Sequence, residues 1–263
     1  MRPLTTRPAA RISPLASLEP VAFQFEPASE ALREQRELLR RVDTKYVCDH
    51  ATAARVLADL ASDYAALPVP SGNVATYRSL YFDTPDLRCY HDHRRGRRPR
   101  QKIRIRHYPD RSLSFLEVKI KRNETVTDKR RLAIDFGDEE LDARAKSFLQ
   151  ELGIAADDYQ PILRFDFRRL SLVGIRSCER VTIDCELEAD LLGGEHESFG
   201  ELVVVEVKQS PFCVRTPIMR ALSKAGLRAL AMSKYTIATA IMRPELRRNR
   251  LLPDVRAIEG MLS

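Results

Sequence analysis

Between Lys102 and Tyr108 the chain reads KIRIRHY, with Lys102, Arg104 and Arg106 alternating with Ile103 and Ile105. Successive side chains of an extended strand point to opposite faces, so the three cations share one face and the isoleucines the other. The pattern recurs. Arg41, Asp43 and Lys45 share a face in RVDTKYV, and Glu117, Lys119 and Lys121 lie opposite Leu116, Val118 and Ile120. Arg164, Asp166 and Arg168 oppose Leu163, Phe165 and Phe167. Asp184, Glu186 and Glu188 oppose Ile183, Cys185 and Leu187, and Glu206 lies with Lys208. One such strand describes a sheet with a wet face. Six of them, with enough helix to cover the apolar faces, predict a sheet closed on itself, apolar outside and charged inside. A lumen packed with cations is costly unless a polyanion fills it, so the charged rows read as a phosphate-binding wall.

The chain has 263 residues, enough for one large domain with a buried core. The boundaries read as a flexible tail over 1–28, a folded domain over 29–245 and a C-terminal tail over 246–263. A net charge of +7 points to polyanionic partners. Five scattered cysteines without a CxxC pair suggest free thiols in a reducing, cytoplasmic compartment. No run of about 18 apolar residues occurs, so direct membrane insertion is not expected. The basic, Pro-rich start lacks the continuous apolar segment of a signal peptide.

Ser29 is placed to cap a helix over SEALREQRELLRR. HATAARVLADLASDYAAL reads as an amphipathic helix ending near Pro68. VATYRSLYFDT is a strand, followed by a charged loop HDHRRGRRPRQ. KIRIRHY and LSFLEVKIKR are joined by PDRS as a hairpin. KRRLAIDF is a strand, EELDARAKSFLQEL a helix, and QPILRFDFRRLSL, RVTIDCELEADLL and GELVVVEVKQ are three further strands. LLGGEHESFG is a loop, and the segments from TPIMRALSKAGLRALAM to SKYTIATAIM are helical. Short connections between consecutive strands favour antiparallel pairing. The expectation is an α+β chain built on an antiparallel, eight-stranded, tunnel-like β-barrel with surrounding helices.

Sequence signatures of other chemistries are missing. GxxxxGK[ST], GxGxxG and HExxH do not occur, so nucleotide binding would have to come through the lumen. The basic loop over 91–102 lacks the interleaved aromatics of a base-stacking surface, and nucleic acid is not the expected partner. His91 and His93 have no thiolate companion and read as surface residues. Cys178 and Cys185 read as packing residues.

Taken in order, RxDxKY, YRSLYFDT, KIRIRHY, FLEVKIK, PILRFDFRR, IDCELE, VVEVK and SKY resemble the catalytic VTC domain of polyphosphate polymerases. These belong to the triphosphate tunnel metalloenzymes, related to CYTH proteins. The resemblance runs from about residue 37 to 242. It implies an eight-stranded tunnel and an ATP-binding transferase that moves the γ-phosphate of ATP onto a growing polyphosphate chain with Mn²⁺ or Mg²⁺. It also implies relatives that hydrolyse triphosphates, and it leaves room for a membrane-protein partner that moves the product. The alternatives are a tunnel triphosphatase and a non-catalytic module that binds polyphosphate or nucleic acid.

Carried over by motif, Lys45, Arg104, Arg106, Lys119, Lys129, Arg131, Arg164, Arg168, Ser233 and Lys234 are the expected phosphate contacts. Arg104, Arg106, Lys119 and Glu206 are the expected catalytic set. Glu206 is the principal metal carboxylate, with Glu117, Asp184 and Glu186 as further candidates. Asp43 stands where the family pattern often has the longer Glu. Phosphoryl transfer asks mainly for positioning and charge neutralisation, which suits guanidinium forks on rigid strands and a cation that needs few carboxylates.

Overall fold

The computed structural model describes residues 19–36, 41–123 and 127–262. Its strands are β1 (Val42–Cys48), β2 (Tyr64–Ala66), β3 (Val74–Asp83), β4 (Arg100–Tyr108), β5 (Leu113–Lys121), β6 (Thr127–Ile134), β7 (Gln160–Gly174), β8 (Glu179–Leu191), β9 (His196–Ser198) and β10 (Val203–Gln209). The helices are α1 (Glu19–Ala22), α2 (Glu30–Gln35), α3 (His50–Leu57), α4 (Arg88–Arg95), α5 (Ala143–Glu151), α6 (Pro217–Lys224), α7 (Lys234–Met242) and α8 (Leu252–Leu262).

All described strands join one antiparallel sheet in the order β1-β10-β8-β7-β3-β4-β5-β6, with β2 added to β7 and β9 to β8. The eight-strand path and the outer helices are as the alternation predicts. The ring differs in one respect: among the described residues no ladder joins β1 to β6. Their side chains nevertheless line the same cavity.

The wall is apolar outside. Tyr46, Ile183, Val205 and Val207 pack with α3 and α6 residues such as Val56 and Leu222. Leu80, Ile103, Ile105, Leu116 and Val118 pack with Ala145 and Leu149 of α5. One end of the interior is apolar as well. There Tyr81, Phe165, Phe167, Leu187 and Ala189 form a core with Tyr235 of α7 and Val255 of α8. The interior is thus charged over one part of its length and aromatic over the other.

That division corrects two readings of strand face. Along β8 three steps, from Glu188 to Cys185, oppose two steps of β7, from Asp166 to Arg168. The extra residue is a bulge at Glu186, whose φ is +50°. A bulge of one residue reverses the facing of everything beyond it. Asp184 therefore points inward, while Glu186 lies half-buried on the opposite face. On β7 the inward set is Phe165, Phe167 and Arg169, so Arg164, Asp166 and Arg168 lie outside. Arg164 pairs there with Glu139 at 2.6 Å, and Arg168 pairs with Glu19 at 2.5 Å.

Ordered packing continues past both sequence-derived boundaries. Ala22 and Phe25 enter the core against α3, and Val255 and Ile258 enter the interior core. Ser29 accepts from Leu32 N as the cap of α2; residues 37–40 of the anticipated helix lie outside the described residues. The region read as a charged loop begins instead with α4, which Gly96 ends in the left-handed conformation at φ +72°. The helix expected to run to Pro68 stops at Leu57, and Tyr64–Ala66 pairs with β7.

Asp83, fully buried at the end of β3, ties these layers together. Its carboxylate accepts from the amides of Thr84, Cys89 and Tyr90 and from the Tyr235 hydroxyl at 2.5 Å. One side chain so fixes β3, the first turn of α4 and α7. Asp83→Ala leaves those buried donors without an acceptor and should lower unfolding free energy by about 3 kcal/mol or more. A denaturant titration showing a loss under about 1 kcal/mol would dismiss this anchoring role.

Candidate functional site: a cationic cavity

The inward faces of β1, β4, β5, β6 and β10 surround a cavity of about 530 Å³, completed by Arg169, Asp184 and the start of α7. Twelve Lys or Arg residues line it against four Asp or Glu residues. Of the residues anticipated from sequence, Lys45, Arg104, Arg106, Lys119, Lys129, Arg131, Ser233, Lys234, Glu117, Asp184 and Glu206 are brought together there. Arg164, Arg168 and Glu186 are not. Tyr81, Arg41, Lys102, Arg169 and Lys208 also line it and were not in the anticipated set. Arg41, Lys102 and Lys208 could have been chosen by the same alternation. Arg169 could not, because the sequence places it with the apolar face.

Each inward carboxylate is matched to cations. Glu206 lies 3.1 Å from Lys45 Nζ and 2.6 Å from Lys208 Nζ. Asp184 takes Arg169 Nη2 at 2.7 Å and Lys234 Nζ at 2.5 Å. Glu117 accepts from Arg104 Nη2 at 2.6 Å and from the Tyr108 hydroxyl at 3.2 Å. Asp43 pairs with Arg41 at 2.9 Å. Burial would raise Glu117, Asp184 and Glu206, but the adjacent cations outweigh it. Arg104 and Arg106 hold Glu117 down to about 2, Arg169 and Lys234 hold Asp184 well below the carboxylate range, and Lys208 and Lys45 do the same for Glu206.

The arginines are held on aromatic faces. Phe167 sits where the charged and aromatic parts of the interior meet, with Arg106, Arg169 and Lys234 at 5.7, 5.1 and 4.8 Å from its ring centroid. Arg106 Nε also donates to Ser79 Oγ at 3.0 Å, and Arg104 Nη1 donates to the Tyr81 hydroxyl at 3.2 Å. These guanidinium groups are positioned before any ligand arrives.

Two neighbouring rows cross β4, β5 and β6. In one, Arg104 and Arg131 flank Glu117. In the other, Lys102, Lys119 and Lys129 stand opposite one another with no carboxylate among them. Like charges directly opposite repel. Lys102 is lowered well below the usual lysine value by burial and then by Lys119 and Lys45; its Nζ donates to Ser233 Oγ at 2.7 Å. Burial, Lys129 and Lys45 bring Lys119 to about 8. Lys119 is reached by water within the cavity, so solvent screens part of this repulsion. The lysine row is the part of the wall that most needs an anion.

The carboxylates supply oxygen donors suited to Mg²⁺ or Mn²⁺. Among the described residues no three His, Cys, Asp or Glu residues gather as a metal cage. Glu117 and Asp184 are occupied in fixing arginines, and Glu186 lies outside the cavity. Glu206 and Asp43, inward on adjacent strands, are the donors that an ion completing its shell with water and phosphate oxygens could take over from Lys45, Lys208 and Arg41. His91 and His93 are half-buried on α4. Burial and then Lys102 and Arg100 push His93 down to about 2, which keeps it uncharged. Cys185 is buried in the core as a packing residue, whereas Cys178 is exposed.

Fold and cavity together define a tunnel-type protein, an antiparallel wall around a cationic bore. The family model described as VTC domain matches residues 40–243, and the chain belongs to the VTC domain family. A solved structure from Bacillus halodurans, provisionally named an adenylate cyclase, aligns with TM-score 0.50 at 13% identity, covering 74% of this chain and 94% of that chain. A Hippeastrum protein, provisionally named an adenylyl cyclase and described as having a dominant triphosphatase activity, aligns with TM-score 0.49 at 14% identity over 79% of this chain and 97% of its own. The first likeness shows a shared fold. No curated protein sequence matches.

The lysine row gives a signed pH dependence. Below about 8 Lys119 is protonated whether folded or not, and the folded state carries the whole cost of burying that charge and of its repulsion by Lys129 and Lys45. Between about 8 and 10.5 the unfolded chain holds the proton more tightly, so stability rises with pH. The ligand-free melting temperature is expected to climb across this window more steeply than that of Lys119→Met. Saturating tripolyphosphate should flatten the difference. Parallel wild-type and variant profiles would rule the repulsion out.

Proposed function

We propose that the protein is a polyphosphate polymerase, transferring the γ-phosphate of ATP to the end of a polyphosphate chain held in the cationic cavity. The observation that carries this reading is the lysine row Lys102–Lys119–Lys129, which lacks a carboxylate, beside arginines already fixed by Glu117, Asp184 and aromatic rings. Membership of the VTC domain family supports it. Rows of lysine and arginine at strand spacing suit a repeating polyanion.

In the proposed reaction a terminal oxygen of the acceptor phosphate attacks the γ-phosphorus, the bond to the β-phosphate bridge breaks, and ADP leaves. Arg104, Arg106, Lys119 and Lys234 neutralise the transferring group and its neighbours. Ser233, Lys234 and the first amides of α7 bring further donors to one end of the phosphate chain. A bound Mg²⁺ or Mn²⁺, held by Glu206 with Asp43, would screen phosphate charge. Little is asked of a protein nucleophile, because the reaction depends on alignment and charge.

Hydrolysis of inorganic or nucleoside triphosphate is the second reading. It is favoured by Glu206, which is ionised at neutral pH and turned into the cavity, where it could orient a water. A third reading, a non-catalytic polyphosphate-binding module, predicts binding without turnover. The five cysteines form no disulfide, which supports a reducing, cytoplasmic setting. Among the described residues no helix is long and apolar enough to cross a membrane. A separate membrane-protein partner would fit a polymer that has to be moved.

Purified protein with ATP and Mn²⁺ is expected to yield acid-stable chains that resolve as polyphosphate on a gel. Release of phosphate from tripolyphosphate without chain growth selects the hydrolase, and tight binding without turnover selects the module. Arg106→Ala, which removes a positioned guanidinium, should cut kcat by about a hundredfold. An unaltered kcat would take Arg106 out of the transition-state contacts.

A further inference from the structure

Six of the nine large hydrophobic side chains exposed among the described residues lie at one end of the barrel. Four of them, Val42, Ile175, Phe212 and Val214, belong to a single neighbourhood, with Phe212 49% and Val214 60% exposed. Contacts tie this neighbourhood together. Val42 is the register partner of Gln209, whose side chain bonds Cys213 O at 2.8 Å and Cys213 N at 3.2 Å. Ser210 N donates to Cys178 O at 3.3 Å, which joins the 210–216 loop to the β7–β8 turn. Arg36 then holds that turn by donating to Gly174 O at 2.9 Å and to Ile175 O at 3.0 Å.

The polar residues around these tips are mostly one sign. Arg33, Arg36, Arg176 and Arg215 surround them. Of the nearby acids among the described residues, Glu179 is fully buried and bonded to Tyr64, Ser177 and Gln209, Asp43 faces the cavity, Asp63, whose carbonyl accepts from Ile175 N at 2.9 Å, is half-buried, and Glu34 is exposed. Water is a poor solvent for a protruding Phe and Val, and among the described residues no element covers either loop tip.

We propose that this end of the barrel is a peripheral docking surface for an anionic lipid bilayer. Phe212 and Val214, with Ile175 and Val42 beside them, enter the boundary between headgroups and acyl chains. The surrounding guanidinium groups bind lipid phosphates. Separate apolar tips ringed by arginine suit a fluid bilayer, where each tip finds its own space, better than a rigid protein partner, which would need a continuous complementary face. The attachment lies on the membrane and spans nothing. It also sets the cavity beside the bilayer, because Arg41 and Lys208, next to Val42 and Gln209, line the bore.

Vesicle co-sedimentation tests this with phosphatidylglycerol–phosphatidylcholine vesicles against pure phosphatidylcholine. Saturating tripolyphosphate is kept present so that the bore itself cannot capture headgroups. Wild-type protein should pellet with the anionic vesicles and be released by salt. F212D with V214D, and separately R176E with R215E, should weaken binding by about tenfold or more. Both pairs should keep the wild-type melting temperature and tripolyphosphate affinity, since none of the four residues lines the cavity. Four outcomes overturn the proposal: no binding to anionic vesicles, binding unaltered by F212D with V214D, binding abolished by tripolyphosphate, or a self-association that these variants remove while lipid binding stays nil. The polymerase assay is independent, so either reading can fail alone.

Discussion

Repulsion among cations held in a confined space governs this structure. Twelve Lys or Arg residues line a cavity of about 530 Å³ with four Asp or Glu residues to balance them. A folded chain tolerates this only by dividing the cations into two kinds. The arginines are satisfied locally, by Glu117, Asp184, Ser79 and the rings of Tyr77, Tyr81 and Phe167. The neighbouring row of Lys102, Lys119 and Lys129 keeps the uncompensated share, and burial together with this repulsion depresses Lys102 and Lys119. Fixed guanidinium groups give direction to a bound phosphate, while the lysines supply the free energy of neutralisation.

The outer architecture follows from the same need. A strand that turns its charges inward must bury the opposite face, and α3, α5 and α6 do this against two separate cores. The aromatic end of the interior serves the site as well. Phe167 and Tyr81 close the charged part from the apolar part and offer ring faces to the cations, and Tyr235 is bonded back to Asp83. The site therefore rests on rigid strands and a buried polar anchor, as positioning of a multiply charged substrate requires.

The apolar tips near Gln209 stand apart from this economy. They protrude at the rim beyond the helices that cover the strand faces, and the arginines there serve no inward carboxylate. A bore that handles a long polymer and a basic, apolar rim beside it are two features of one end of the barrel, each with its own physical origin.

The sequence alone determined the character of the wall. Strict alternation in β4, β5 and β6 placed Lys102, Arg104, Arg106, Glu117, Lys119, Lys129 and Arg131 on one face and their apolar neighbours on the other, because regular strands leave no freedom in that choice. It also carried the helix cap at Ser29 and the family pattern over most of the chain. Only the tertiary structure decided where alternation breaks and which face is inside. One extra residue at Glu186 turned Asp184 inward and Glu186 outward. On β7 the aromatic face proved to be the inner one, which exchanged Arg164 and Arg168 for Arg169. A bulge changes pairing without changing composition, and an apolar face is equally content under a helix or inside a barrel, so neither choice is written in any local run of residues.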